Sequence, residues 1–485
     1  MNKRIARNIF FYGFGKAYDA AAALLLIAIV ARYLGRDGFG QYSLIWAAVT
    51  LSVIIPESGL YTVLIREASS NLERAPDILK ATIQARRVLA FLAIVVVIAI
   101  IFASTKDPSV RASACIGSVW ILGRLAVGTN SAIFFAYERI QYDTLITIFQ
   151  STVSLLSVFA ATRLDWGLMG VIGSIAAGAS ASGIASSFVR RTRFCVAART
   201  VDPSLRKYIL KESLPVGGGR ALRMTGNRVD TLILAWLRTN ADVAIYSGVY
   251  NLILRGMGLS VLITRPLFPM ISRLAGSPQE REEFQTVAQR SIKLMFVLAV
   301  PVCAGLTAVA DKVVPLVFGP EFEPSIGVLR ILSWVLMFMF PSYMASFVII
   351  AVKQQVYLLK VLGLCVGLNV VLDFILVPSM GYYGPCVATL IAEVLFAFFL
   401  WRMLQRMFPS MDLFAGYPAV LLSAGVMGGV VYLLNPLNLI FLIALGPIIY
   451  FPCLFLFRAF SRDEVVFFRE AVRRRQGYAD DRSPD

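Results

Sequence analysis

Histidine is absent from this chain, and charge is scarce. Asp, Glu, Lys and Arg together make up 15% of 485 residues. Without histidine the chain lacks the commonest general base and the commonest transition-metal ligand. Soluble domains carry nearer one quarter charged residues, so an ordinary water-soluble globule is excluded. Acids are scarcer than bases, 29 against 46. The six cysteines (Cys115, Cys195, Cys303, Cys365, Cys386 and Cys453) form no close pair and fall mainly in apolar stretches. They read as small apolar fillers, so no disulfide framework, metal site or cofactor is expected.

Hydrophobic surface is what the chain has in abundance. Apolar residues make up 58% of it and the mean hydropathy is +0.74. Apolar runs of 18 or more residues recur, each long enough to cross roughly 30 Å of hydrocarbon. The expected fold class is therefore an all-α polytopic membrane protein. Met1–Arg7 is basic and feeds a stretch from Ile9 to Ala31 that is longer than a cleavable signal core, which predicts an uncleaved first helix. Fourteen transmembrane helices are predicted, at about 9–33, 40–65, 81–103, 109–136, 142–162, 167–189, 214–237, 243–264, 291–310, 325–351, 356–377, 384–401, 414–434 and 438–457. With the N-terminus inside, cytoplasmic segments hold 32 Lys and Arg and external loops hold 6. Both termini are expected in the cytoplasm, and the net charge of +17 reflects topology and anionic-lipid contact rather than nucleic acid.

Weak internal matches suggest a duplication. Ala136–Tyr142 resembles Ala351–Tyr357, Gly167–Gly170 resembles Gly381–Gly384, and Leu34–Ser43 resembles Leu237–Ser247. The offset spans six helices, an even number, which predicts two parallel-repeat six-helix bundles around a central cleft. The expected organisation is an N-terminal bundle over 1–199, an amphipathic cytoplasmic linker over 200–213, a C-terminal bundle over 214–407, two further helices over 408–458 and a cytoplasmic tail over 459–485. Two such bundles suit alternating access.

Eight cations fall at predicted membrane depth: Lys16, Arg32, Arg124, Arg220, Arg223, Arg228, Arg255 and Arg330. A cation there costs several kcal/mol (about 2.5 or more) unless it faces a wet or paired interior. Arg220, Arg223, Asn227 and Asp230 share one helical face, and Lys16 and Asp19 share another in the repeat-related first helix. Arg124 and Arg255, the latter with Asn251 one turn before it, lie too far from an interface to snorkel. The candidate substrate-binding set is Lys16, Arg124, Arg220, Arg223, Asn227, Asn251 and Arg255, around a cationic cleft. The alternative is that Lys16–Asp19 and Arg223–Asp230 neutralise each other as ion pairs. Arg32 and Arg330 sit near the outer surface, and Arg228 points away from the stripe of its own helix. The intramembrane acids Asp19, Glu57, Asp230, Asp373 and Glu393 are candidates for coupling protons or for ion pairs. Gly170, Ser174, Gly178, Ser182 and Ser186 predict close helix packing, and Pro301, Pro341 and Pro418 predict kinks. No pair of adjacent intramembrane carboxylates and no large external loop is expected, so an enzyme is not.

The chain resembles the polysaccharide transporters of the multidrug/oligosaccharidyl-lipid/polysaccharide (MOP) exporter superfamily, the Wzx-type flippases. Arg32-Tyr-Leu-Gly-Arg-Asp-Gly-Phe-Gly-Gln-Tyr-Ser43, Gly59-Leu-Tyr-Thr-Val-Leu-Ile-Arg-Glu67, Asn227-Arg-Val-Asp230 and Tyr382-Tyr-Gly384 carry the resemblance. It implies movement of an undecaprenyl-pyrophosphate-linked oligosaccharide from the inner to the outer leaflet of a bacterial inner membrane. It also implies membrane lipids and polysaccharide polymerase machinery as partners. A sibling branch moves lipid II, the peptidoglycan precursor. Drug/cation antiporters of the superfamily, with twelve helices and an acidic lumen, and membrane glycosyltransferases or polymerases fit less well.

Overall fold

The computed structural model describes residues 3–57 and 59–460; the segment 461–485, most of the expected tail, lies outside them. Among the described residues every regular element is helical. In chain order the α-helices are α1 (Lys3–Ser52), α2 (Ile54–Glu57), α3 (Leu60–Ser70), α4 (Ala75–Ser104), α5 (Pro108–Ala136), α6 (Ile140–Arg163), α7 (Gly167–Arg193), α8 (Pro203–Leu237) and α9 (Asn240–Gly256). They continue with α10 (Gly258–Ala275), α11 (Arg281–Ala308), α12 (Ala310–Phe318), α13 (Ser325–Ser333), α14 (Val335–Ala351), α15 (Gln355–Met380), α16 (Tyr383–Met407), α17 (Tyr417–Leu433) and α18 (Leu439–Leu456). Among the described residues, eleven helical stretches are long and apolar enough to cross a membrane. The first, Gly13–Ser70, holds two of the expected passes. α17 is a shorter apolar helix, and α8, rich in Arg, falls outside the apolar set. With these three readings the fourteen expected segments are all accounted for by helix, in an all-α polytopic membrane protein.

Several local expectations change. The break predicted after residue 33 is present but short: Gly35, at φ 64° and ψ −173°, is non-helical and divides α1 into two helical stretches where a longer loop was expected. Residues 203–213 are the first turns of α8 and run without a break into the following span, through Gly217-Gly218-Gly219. Asp202 caps that helix by accepting from the Ser204 backbone N–H at 2.9 Å. Pro418 produces no kink, since it stands in the first turn of α17, where its missing N–H costs nothing. Pro301 and Pro341 do fall inside α11 and α14.

Among the described residues, those within 3–255, 314–328 and 362–392 form one compact unit, and those within 256–313, 329–361 and 393–460 form another. In the first unit α7 packs against α5 and α6. Its small-residue row makes this possible: Ser182 and Ser186 are fully buried, and a Cβ at Gly178 would meet Ser154 Oγ at 2.3 Å. Leu60, Leu64, Leu79, Ile133 and Ile209 join α3, α4, α5 and α8 in one apolar cluster. In the second unit α11 packs on α14 and α17, with Val300, Val420, Met427 and Leu454 inside. Phe296 stacks on Tyr417 at 3.8 Å, and Tyr450 donates to the Val297 carbonyl. Large apolar side chains such as Phe91, Leu156, Ile184, Phe188, Ile440 and Leu456 are exposed. So much bare apolar surface is tolerable only against lipid.

The second pass of the chain breaks between α2 and α3. Gly59 there has φ 73°, and a Cβ on it would come within 2.0 Å of the Ser213 carbonyl oxygen. Gly167 has a similar φ of 60° but open space around it. Gly59→Ala is therefore expected to lower the thermal unfolding midpoint and folded yield well below those of Gly167→Ala, which meets only the backbone cost of about 1–2 kcal/mol. Equal losses in the two purified variants would show that contact with α8 does not constrain the break.

Candidate functional site

One cavity in the first unit collects much of the polar inventory of the membrane region. Its volume is about 230 Å³. α1 contributes Asp19, Ala22, Ala23, Leu26, Ile27, Phe39, Tyr42, Ser43, Trp46 and Thr50, which lie along one side of a long helix that Gly35 bends. α5 contributes Trp120, α6 contributes Gln150, Ser151 and Ser154, and α7 contributes Ile175. α8 and α9 complete it with Arg228, Thr231, Ser247, Asn251 and Arg255.

The charges in this cavity are unbalanced. Arg228 and Arg255 are its cations and Asp19 is its acid. Arg228 donates to Asn251 Oδ1 at 3.1 Å, and Asn251 is itself anchored on the Ser247 carbonyl at 2.8 Å. Asp19 accepts from Ser151 Oγ at 2.7 Å rather than from either arginine. Among the described residues no carboxylate lies within ion-pair distance of Arg228 or Arg255, and the two guanidinium charges oppose each other. Two like charges without a counter-charge are a standing attraction for an anion.

The other sequence-derived candidates are placed as follows. Asn251 and Arg255 line the cavity, as does Asp19. Lys16 is exposed on α1 one turn earlier. Arg223 and Asn227 are half-buried on α8 outside the lining, and the Arg220 side chain falls outside the described ones. Arg124 does not line the cavity: its Nε sits 3.3 Å from Glu57 Oε1, at the break between α2 and α3. Glu57 is 9% exposed and Arg124 38%. Removing Arg124 leaves a buried carboxylate short of a partner, so Arg124→Ala is expected to reduce folded yield, by about 1–2 kcal/mol after allowance for the exposed arginine. Glu57→Gln added to Arg124→Ala should recover most of that loss in a thermal melt; no recovery would mean that the pair does not stabilise the break.

Arg228, which points away from the polar stripe of its own helix, is a cavity cation. Trp46, Trp120, Tyr42, Ser43, Gln150 and Ser151 were not candidates either. The one available signal was that Phe39, Tyr42 and Trp46 recur on a single face of α1. Arg32 and Arg36 have a different use: Arg32 donates to the carbonyls of Pro315 and Leu316, and Arg36 to that of Glu321. Nearby, a Cβ on Gly40 would overlap the Asn240 carbonyl. The Arg32–Ser43 motif thus ties the end of the first pass to neighbouring backbone. Arg330 is exposed on α13.

Asp230 and Asp373 are brought together, contrary to the expectation that no two intramembrane carboxylates adjoin. Asp230 is 1% exposed and Asp373 fully buried, and their carboxyls face each other. Tyr246 donates to Asp230 Oδ2 at 2.7 Å and Thr389 donates to the same oxygen at 2.9 Å. Asp230 therefore does not form the ion pair with Arg223 that the sequence left open. The carboxyl pair lies outside the cavity lining. Glu393 is half-buried in α16 and belongs to the second unit.

Residues 5–275 match the family model described as polysaccharide biosynthesis protein, and residues 243–451 match that of lipid II flippase MurJ. The chain is similar to the probable low-salt glycan biosynthesis flippase Agl15 of Haloferax volcanii, 25% identical over 205 residues, 41% of this chain and 43% of that protein. It is also similar to the probable flippase AglR of the same organism, 23% identical over 213 residues, 43% of this chain and 44% of that protein. The chain thus spans less than half the length of these curated relatives. Among solved structures, lipid II flippase MurJ in an inward closed conformation superposes with TM-score 0.77 at 14% identity, over 96% of this chain and 100% of that one. An inward-facing multidrug resistance MATE family transporter of the MOP superfamily superposes with TM-score 0.66 at 16% identity, over 81% and 96%. At these identities the structures speak for the fold, while the polysaccharide biosynthesis model covers more than half of the sequence. The chain belongs to the polysaccharide biosynthesis protein family and has the fold of the MOP-superfamily transporters.

Proposed function

We propose that this protein is a flippase that moves an anionic polyprenyl-pyrophosphate-linked oligosaccharide from the inner to the outer leaflet by alternating access, in the synthesis of a cell-surface polysaccharide. The observation that carries this reading is the pair Arg228 and Arg255, which faces a cavity whose acid, Asp19, is bonded elsewhere. Guanidinium groups bind phosphate oxygens through two parallel N–H donors, which suits a pyrophosphate better than a neutral or cationic solute. Flippase relatives and the polysaccharide biosynthesis family support the same direction of reasoning. The site is the bacterial inner membrane, with both termini cytoplasmic and membrane lipids and polymerase machinery as partners.

A step must also reset the carrier. Two buried carboxyls side by side carry a repulsion that uptake of a proton relieves. Asp230 and Asp373 are the proposed coupling pair, outside the substrate cavity. The experiment for the whole reading is movement of a lipid-linked oligosaccharide between leaflets of proteoliposomes. A second reading, lipid II as substrate, is favoured by the MurJ model match over residues 243–451. Offering both lipids to the same vesicles separates the two.

A further inference from the structure

The cavity has a wall that the arginines leave unused. Along α1, Phe39, Tyr42 and Trp46 share one helical face. Phe39 stacks on Tyr42 at 5.5 Å, Tyr42 meets Trp46 at 6.1 Å, and Trp120 of α5 meets Trp46 edge to face at 5.2 Å. All four line the cavity as one aromatic run. Beside it stand two hydroxyls, Ser43 and Ser247, 5% and 2% exposed. Both residues line the cavity, and their Oγ atoms are buried with no hydrogen-bond partner among the described residues. Buried hydroxyls are nearly always bonded, so turning either one toward a polar guest would break no existing bond and would gain one.

A pyranose ring meets both features. Its C–H face carries partial positive charge and suits the negative face of an aromatic ring, and its rim of hydroxyls both donates and accepts. A bare phosphate has no use for the rings, and an acyl chain has none for the hydroxyls. At about 230 Å³ the cavity is smaller than a drug-sized pocket and has room for one ring rather than a whole oligosaccharide.

We infer that Trp46 and Trp120 seat one sugar ring of the substrate, with Ser43 and Ser247 bonding its hydroxyls, while Arg228 and Arg255 take the adjoining anion. This deepens the flippase reading and rests on it. The cavity then reads two chemistries on two walls, and the tryptophans set the preference for a glycosylated lipid over its bare pyrophosphate.

The test is equilibrium binding by the full chain in nanodiscs, with undecaprenyl pyrophosphate and undecaprenyl-pyrophosphoryl-N-acetylglucosamine as probes. Wild type should bind the glycosylated probe about tenfold more tightly or better. The double variant Trp46→Leu/Trp120→Leu should bind both probes alike, at the wild-type affinity for the bare one, which also shows that it is folded. Equal wild-type affinities, with Arg255→Ala losing both probes, would overturn the sugar seat and leave the flippase reading standing. A double variant weakened equally toward both probes would overturn it too, reducing the tryptophans to a shaping role. So would displacement of the glycosylated probe by tetraphenylphosphonium in wild type but not in the double variant, which would give the wall to lipophilic cations. A wild type that binds neither probe would sink both the seat and the flippase reading.

Discussion

Arg228→Ala and Arg255→Ala are each expected to lower transport of a lipid-linked anionic substrate by about two to three orders of magnitude, with the protein still inserted and abundant. The size follows from the surroundings. Each guanidinium lines a confined cavity without an ion-pair partner among the described residues, so a bound pyrophosphate would be its first counter-charge. Losing one partner of such a charged contact costs about 2–5 kcal/mol. Lysine should recover only part of the loss, because an ammonium lacks the two-pronged donor geometry. Folding should be spared, since removing one of two mutually repelling cations relieves a strain. Arg228→Ala also drops a charge-assisted hydrogen bond to Asn251, of about 1.5–3 kcal/mol, so its melting point should fall somewhat more than that of Arg255→Ala. Initial rates in proteoliposomes matched for protein content check this; wild-type rates in either variant would remove the arginines from the substrate path.

Asp373→Asn and Asp230→Asn should act on coupling rather than on binding. Asparagine keeps the shape of the carboxyl and cannot take up the proton. Because the pair lies off the cavity lining, affinity for substrate should stay within about twofold of wild type. Acceleration of transport by an imposed pH gradient should disappear in both variants, a loss of about tenfold or more under gradient conditions. Binding and gradient-driven flux measured on the same preparations separate the two effects. Variants that keep the full acceleration would make the pair a structural feature of α8 and α15.

The helices were largely legible because each needs about twenty apolar residues, and that requirement is written locally. Where boundaries moved, a single residue explains it: non-helical Gly35 alone stands in for the loop expected between the first two passes, and Pro418 opens α17 instead of kinking it. The cavity was legible only in part. Asn251 and Arg255 stand out because polar groups deep in an apolar helix are rare. Arg228 does not stand out because the face of α8 that matters is chosen by α1 and α9, and no pattern within α8 records them. The aromatic wall was hidden for a similar reason: on a membrane helix Phe39, Tyr42 and Trp46 look like packing. Asp230 and Asp373 come from α8 and α15, and nothing local links them. Arg124 looked isolated for want of a visible partner, and the helix break after Pro56 supplied Glu57.

Carriage of a glycosylated lipid across the bilayer, as proposed, can be watched directly. The most direct measurement is leaflet accessibility of a fluorescent undecaprenyl-pyrophosphate oligosaccharide in proteoliposomes, followed in time for wild type, Arg255→Ala and empty vesicles. Protein-dependent movement is expected in wild type, nearly abolished in Arg255→Ala, with the glycan chemically unchanged. Wild-type vesicles that move no more lipid than empty ones, or that return an elongated or transferred glycan, would contradict it.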